Sequence, residues 1–194
     1  SHSLTNFPLL EYISFKKKPI ILSTGMSDIN EIDQAVSILT KSKTPVALMH
    51  CVSSYPTPIN QCNISMINVL KNRYKLSVGY SGHELGYLPT IASVAIGAQL
   101  IERHFTLNKN MIGFDHKISL NSEDLHSMIK EIRNTEKIIG QGNKTISETE
   151  WITRKKYHVS IFLTRNYRFR ILRRTKKSKK EQKEQQAKRA VSKK

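Results

Sequence analysis

Four short, mostly apolar runs, at 19–24, 45–51, 76–81 and 99–105, restrict this chain to few folds, because a stretch with helical spacing follows each one. Runs of this length and character predict strands covered on both faces. After the first, Asp28 with Glu31 predicts a capping box, and Ile29, Ile32, Val36 and Leu39 mark one helical face. A weaker helix is expected over 63–71 through Ile64, Ile67 and Leu70. The next opens near Leu88-Pro89, with proline in the first turn, and continues through Ile91, Val94 and Ala95. In the last, Ser122 is the expected N-cap, Leu125, Met128, Ile129, Ile132 and Ile139 form the face, and Gly140 is the stop.

Four strand–helix units in succession predict an α/β domain with parallel strands and right-handed crossovers. They amount to half of a (β/α)8 barrel, which typically takes about 250 residues. Periodicity alone leaves an open, doubly wound four-stranded sheet as the alternative.

Charge divides the chain. Residues 151–194 hold 17 Lys/Arg against 2 acidic residues, leaving 15 against 13 for residues 1–150. The expected domains are therefore 1–150, globular, and 151–194, a basic tail. Over about the last 40 residues, past Ile161-Phe162-Leu163 and through Arg173-Arg174, the tail has too little apolar surface to offset its ordering entropy, which predicts disorder or a loose helix. Cys51 and Cys62 give no disulfide framework and no paired metal spacing, so a reduced, cytoplasmic setting is expected. No apolar run reaches the roughly 18–20 residues of a membrane span, and Ser1-His2-Ser3 does not begin a signal peptide. The absence of an initiating Met suggests a start inside a longer reading frame, or trimming.

Chemistry-bearing residues gather at the ends of the third and fourth runs, in Gly79-Tyr80-Ser81-Gly82-His83-Glu84 and Leu100-Ile101-Glu102-Arg103-His104-Phe105-Thr106. A parallel β/α protein keeps its active site at strand ends. Alternation puts Ser81 and His83 on one face of their strand, and Glu102 and His104 on one face of theirs. Taken singly, each residue has a plainer role. A strand-end histidine is commonly a hydrogen-bonded or surface residue, and Glu102 could pair with a lysine or with Arg103, although alternation sends Arg103 to the opposite face. His50 and Cys51 are adjacent and so face opposite ways, which favours a small buried Cys51 over a zinc ligand.

Residues 1 to about 143 resemble the second half of the catalytic barrel of the sialic acid synthase family. The matching segments are Ser1-His2-Ser3-Leu4-Thr5-Asn6-Phe7-Pro8-Leu9-Leu10, Lys18-Pro19-Ile20-Ile21-Leu22-Ser23-Thr24-Gly25-Met26 and His50-Cys51-Val52-Ser53-Ser54-Tyr55-Pro56-Thr57-Pro58, then the two strand-end motifs, then Gly113-Phe114-Asp115-His116-Lys117-Ile118-Ser119-Leu120. Six motifs in family order make the match specific.

The resemblance implies a partial TIM-type barrel and a carbon–carbon bond-forming transferase. Phosphoenolpyruvate would condense with N-acetylmannosamine or a related amino sugar, releasing phosphate, in nonulosonic acid biosynthesis. It implies a divalent cation, manganese with magnesium as the alternative, that polarises the sugar aldehyde. His83 and His104 match the family's metal histidines. Glu102 matches the carboxylate beside the metal and the aldehyde, and Asp115 the acidic residue that holds the sugar on the loop after the last strand. Ser1, Ser23, Ser53 and Ser81 match phosphate-binding positions, although serine at a strand end often only caps a turn. Ser53 stands where some members carry Asn. Tyr55 matches a substrate-contacting tyrosine; otherwise it would be an amphipathic rim residue.

The family's phosphate-binding lysine lies upstream of the Ser1 motif, Ser3 stands where many members are acidic, and the first barrel half is not in this sequence. The small antifreeze-like C-terminal domain is reduced to an echo at Arg154-Lys155-Lys156 and Val159-Ser160-Ile161. A truncated or frame-slipped gene is the expected origin, and the expected partner is a second copy or a separate first half. Another class of function, a basic tail binding nucleic acid or an acidic surface, lacks any recognisable reading motif and competes with a functionless extension.

Overall fold

The computed structural model describes residues 1–163 and 169–173, with side chains described through residue 158. Contacts divide the chain into two compact units, Ser1–Gln141 and Gly142–Lys194.

The first unit is built on four parallel strands, β1 (Ile20–Ser23), β2 (Val46–Cys51), β3 (Ser77–Gly82) and β4 (Ile101–Arg103). Their order in the sheet is their order in the chain. A doubly wound sheet reverses order at a switch point; an unreversed run of right-handed crossovers keeps the helices on one face, as a sector of a barrel does. The result is a curled four-stranded half barrel, as expected.

Helix α1 (Phe7–Ser14) precedes β1, and α2 (Ile29–Lys41), α3 (Met66–Tyr74) and α4 (Leu88–Ala95) form the crossovers. Asp28 and Glu31 close a full capping box on α2, as the sequence predicts. Before α3 stands a single 3-10 turn, Ile59–Gln61, and Lys75 ends the helix in the left-handed conformation at φ 55°. The final helix of this unit, α5 (Ser122–Ile139), packs on α4. Its N-cap is Asn121, not Ser122: the Asn121 backbone is extended, its side chain accepts from the Asp124 N–H at 2.8 Å, and Ser122 is already helical. Gly140, at φ 62°, stops the helix as predicted. The sequence reading missed α1, although Asn6 caps it and Pro8 sits in its first turn.

Alternation sorts every strand residue. Leu22, Val46, Leu48, Val78 and Tyr80 point to the helices, where they bury with Ile32, Ala35, Val36 and Leu39 of α2 and Ile67 and Leu70 of α3. Their neighbours in sequence, Ser23, Cys51 and Ser81 among them, line the concave face, which is more open at β1, where Ile21 is 60 % exposed. Past β4, a one-residue parallel bridge joins Phe105 to Leu120, and the Leu120 N–H donates to the His104 carbonyl at 2.8 Å.

The second unit holds α6 (Glu148–Tyr157) and an antiparallel pair, β5 (Val159–Leu163) and β6 (Phe169–Arg173). Ser147 and Glu150 form a capping box on α6, a capped helix that runs into the tail expected to be disordered or loosely helical. The strands at 159–163 and 169–173 correct the expected disorder of the tail over those residues, where the two segments pair their backbone groups as an antiparallel ladder. The most basic stretch, 174–194, lies outside the described residues, and with it the rest of that expectation.

Candidate active site

The C-terminal ends of β1 to β4 meet at one mouth, and each contributes inward side chains at positions set by the two-residue period. Ser23 ends β1, Cys51 ends β2, and Ser81 stands next to last in β3. His83 follows β3 in phase with Ser81; Glu102 lies in β4, and His104 follows in phase with it.

Three of the serines form one polar cluster around Gly25. The Ser1 and Ser23 hydroxyls are 2.8 Å apart, and Cys51 Sγ lies 3.8 Å from both Ser1 Oγ and Ser53 Oγ. A Cβ on Gly25 would fall against Ser53 Oγ, 2.7 Å from Ser1 Oγ and 3.0 Å from Cys51 Sγ. The close approach of backbone to hydroxyls therefore requires glycine. Ser81 stands apart from this cluster: its hydroxyl donates to Glu102 Oε1 at 2.7 Å, across the β3–β4 register that pairs the two residues.

The histidine rings lie together, His83 and His104 having centroids 5.2 Å apart at an interplanar angle of 61°. Tyr55 covers them, 4.2 Å from the His83 ring and 5.9 Å from that of His104, with Phe114 a further 5.5 Å from Tyr55. His83 Nδ1 lies 2.9 Å from the Val52 carbonyl, which assigns the proton to Nδ1 and leaves the Nε2 lone pair free. His104 Nδ1 is 3.6 Å from Asp115 Oδ2. A hydrogen-bonded oxygen at Nδ1, as His83 has, is the arrangement that supports an imidazole ligand to a cation; the Asp115 carboxylate stands near His104 beyond hydrogen-bond distance. Asp115 Oδ1 is itself shielded from water and has no hydrogen-bond partner, although the side chain as a whole is 45 % exposed. A buried carboxylate oxygen left unpaired is costly and suits a site that takes up a polar or cationic group. Among the described residues no set of three or more His, Cys, Asp or Glu side chains is assembled as a metal cage. The donors in hand are two imidazoles, with room for oxygen ligands from substrate or water.

Cys51 joins the site, although the sequence reading gave it no place there. It is buried, as expected, but its sulfur faces the mouth, 3.8 Å from His83 Nδ1 as well as from the two serines. Burial pushes the thiol pKa up, while His83, Ser23 and Ser53 pull it down further, to about 7. For His83, burial pulls the imidazole down, but the neighbouring Cys51 and the Val52 carbonyl outweigh it and the net shift is upward. The signal that could have found Cys51 is parity: it shares a face with Ser53. His50 points the other way, its Nε2 2.9 Å from the Cys62 carbonyl, which disposes of the His50–Cys51 zinc pair.

All nine residues singled out in the sequence, Ser1, Ser23, Ser53, Tyr55, Ser81, His83, Glu102, His104 and Asp115, thus belong to this mouth and its immediate rim. Glu102 does not pair with Arg103, which turns away to Glu84.

Comparison with known proteins agrees with the geometry. The NeuB family model matches residues 1–144. An uncharacterised protein of Methanocaldococcus jannaschii is 49 % identical over 145 residues, covering 74 % of this chain and 43 % of its own length. The N,N'-diacetyllegionaminic acid synthase of Campylobacter jejuni is 43 % identical over 153 residues, covering 77 % of this chain and 46 % of that one. Among solved structures, the N-acetylneuraminic acid (sialic acid) synthetase of Leptospira borgpetersenii, in complex with citrate, superposes with a TM-score of 0.73 at 36 % identity over 78 % of this chain and 53 % of that one. The chain spans a little under half the length of the two sequence relatives. With strand-end motifs, half-barrel topology and a family match over most of its length, the chain belongs to the NeuB family, that of the sialic acid synthases.

Proposed function

We propose that this chain supplies half of the active site of a nonulosonic acid synthase, which condenses phosphoenolpyruvate with N-acetylmannosamine or a related acylated amino sugar and releases phosphate. The observation that carries the reading is the pairing of His83 with His104, rings 5.2 Å apart, beside a carboxylate held by Ser81 and a cluster of serine hydroxyls. The names of the Campylobacter and Leptospira relatives, a diacetyllegionaminic acid synthase and a sialic acid synthetase, support the substrate class.

His83 and His104 would hold a divalent cation, manganese with magnesium as the alternative, through Nε2. When bound there, the cation supplies Lewis acidity at the sugar aldehyde oxygen. The protein's own groups do the rest. Ser1, Ser23 and Ser53 present hydroxyls that can hydrogen-bond phosphate oxygens, and the missing side chain at Gly25 lets the anion approach the backbone. Ser81 keeps one Glu102 oxygen engaged and leaves the carboxylate, which is exposed at the mouth, free to move a proton. Asp115, near His104 with one carboxylate oxygen unpartnered, would hold the sugar, and Tyr55 forms an amphipathic wall over both histidines. The remaining walls would come from a partner that completes the barrel, a first barrel half or a second copy. The two buried free thiols fit a reducing compartment, and we place the protein in the cytoplasm.

Phosphate release from phosphoenolpyruvate, measured with manganese and N-acetylmannosamine, tests the proposal. The chain is assayed alone and mixed with the first barrel half of a relative, alongside His83→Ala and His104→Ala. Sugar-dependent release in either format, lost in both variants, is expected. Release that persists in the variants, or none in a folded complex of the two halves, contradicts it.

A further inference from the structure

Behind the histidines, on the opposite face of the same two strand ends, lies a buried ion pair that the chemistry above does not use. Glu84 follows His83 directly, and Arg103 stands between Glu102 and His104. Their side chains are only 2 % and 3 % exposed, and Arg103 Nη1 is 2.5 Å from Glu84 Oε1. The Glu84 carboxylate also accepts from the Tyr80 hydroxyl at 2.9 Å and the Thr90 hydroxyl at 3.2 Å. Arg103 Nη2 donates to two backbone carbonyls, those of Glu84 at 2.9 Å and Gly86 at 2.8 Å.

We propose that the Glu84–Arg103 pair positions the site: it sets the spacing and ring orientation of His83 and His104 by tying β4 to the backbone that leaves β3. The inference rests on the reading of these histidines as cation ligands. Stability alone gives little reason for the pair. Charges cost much to bury, and a well-packed apolar pair often does as well or better. The same face of the sheet uses Leu22, Leu48 and Val78 elsewhere. What an apolar pair cannot supply is direction. The planar guanidinium makes several bonds at fixed angles, and two of them grip the peptide carbonyls just after His83.

Two further features fit a device aimed at the histidines. Gly82 has no room for a side chain, because a Cβ there would lie 2.7 Å from Glu84 Oε2 and 2.8 Å from Tyr80 Cε1; glycine lets the carboxylate fold back beneath the strand. The backbones of both histidines are also held independently. The His83 carbonyl accepts from the Thr57 N–H at 3.1 Å and the His104 carbonyl from the Leu120 N–H at 2.8 Å. The β3–β4 ladder ends at Gly82 and Arg103, and the ion pair continues that tie past the ladder to the residue after His83.

The test compares the whole chain with the double variant E84L/R103M, which removes both charges together, and with R103K, which keeps the charge and loses the fork. Thermal unfolding by circular dichroism reports the fold. Long-range 1H–15N spectra of the imidazoles report the His83 tautomer and both ring environments, and electron paramagnetic resonance reports manganese binding. A folded double variant is expected to lose the Nδ1–H signature of His83 and to weaken manganese binding about 10- to 100-fold, the usual loss when an outer-shell partner is removed. R103K should fall between it and the wild type, and it decides the matter alone if the double variant does not fold. Unchanged imidazole spectra and affinity in the folded variants overturn the inference. If the wild-type chain takes up no manganese, the cation reading fails, and the imidazole spectra still decide what the pair positions.

Discussion

The two faces of the half barrel, separated by one residue of strand, are built for opposite ends. The convex face is apolar where α2 and α3 seal it, with Leu48 and Val78 wholly removed from solvent and its polar groups, His50 and the Glu84–Arg103 network among them, at the strand ends. The concave face carries hydroxyls, a thiol, carboxylates and imidazoles, and it is open enough to leave Ile21 60 % exposed. Free energy of folding is therefore concentrated on one parity of each strand and chemistry on the other. Substitutions one residue apart should separate stability from function.

The largest effect is expected at Leu48. Leu48→Ala leaves a cavity in the sealed face and should cost about 2–5 kcal/mol, read as a fall in the urea midpoint. Ser23→Ala on the concave face should leave that midpoint nearly unchanged; equal losses would break the division. Next in size, Gly25→Ala drives a methyl into the serine cluster and should weaken phosphoenolpyruvate binding by about tenfold or more, as loss of one hydrogen bond to a charged group does. The fold should survive, so titration calorimetry beside a melting curve distinguishes the two readouts. Asn121→Ala removes the cap of α5 and should cost about 1 kcal/mol, read as a fall in the melting temperature.

The smallest effect sharpens the picture at the outer rim, where Arg73 grips Asp33 between α3 and α2, with Tyr74 donating to the same carboxylate at 2.8 Å. The hydrogen bond from Arg73, then that from Tyr74, holds the Asp33 carboxyl below its ordinary range. A depressed carboxyl contributes stability that is present above its unfolded pKa and lost as pH falls through its folded one. Asp33→Asn should therefore flatten the acid limb of the stability curve and barely alter the neutral region, because the pair is solvent-exposed. A loss at neutral pH as large as that of Leu48→Ala would show that the rim, not the sealed face, carries the fold.

Much of this was legible in the residues. Periodicity located all four strands within a few residues, and parity placed Ser81 with His83 and Glu102 with His104 before any coordinates. Local chemistry identified the α2 capping box and the Gly140 stop. What escaped was short, ambiguous or tertiary. Helix α1 has barely two turns, and its Asn6 cap and Pro8 were absorbed into a motif read for its serine. Asn121 and Ser122 are both good caps, and only the extended backbone at Asn121 decides between them. The 159–173 strand pair was hidden by charge, because two of the five residues of the second strand are arginines. Glu84 with Arg103 could not be found by period, since the pairing of two outward residues depends on sheet register. Parity with Ser53 puts Cys51 on the concave face, but its contacts with Ser1 and His83 come from distant parts of the chain and so escape a sequence pattern.

The most direct test of the concave face as the chemical one is X-ray absorption on the manganese-loaded chain. Two imidazole nitrogens are expected in the metal's first shell, falling to one in His83→Ala and one in His104→Ala. An all-oxygen shell, or one that neither variant alters, would contradict the assignment of His83 and His104 as the residues on which the site is built.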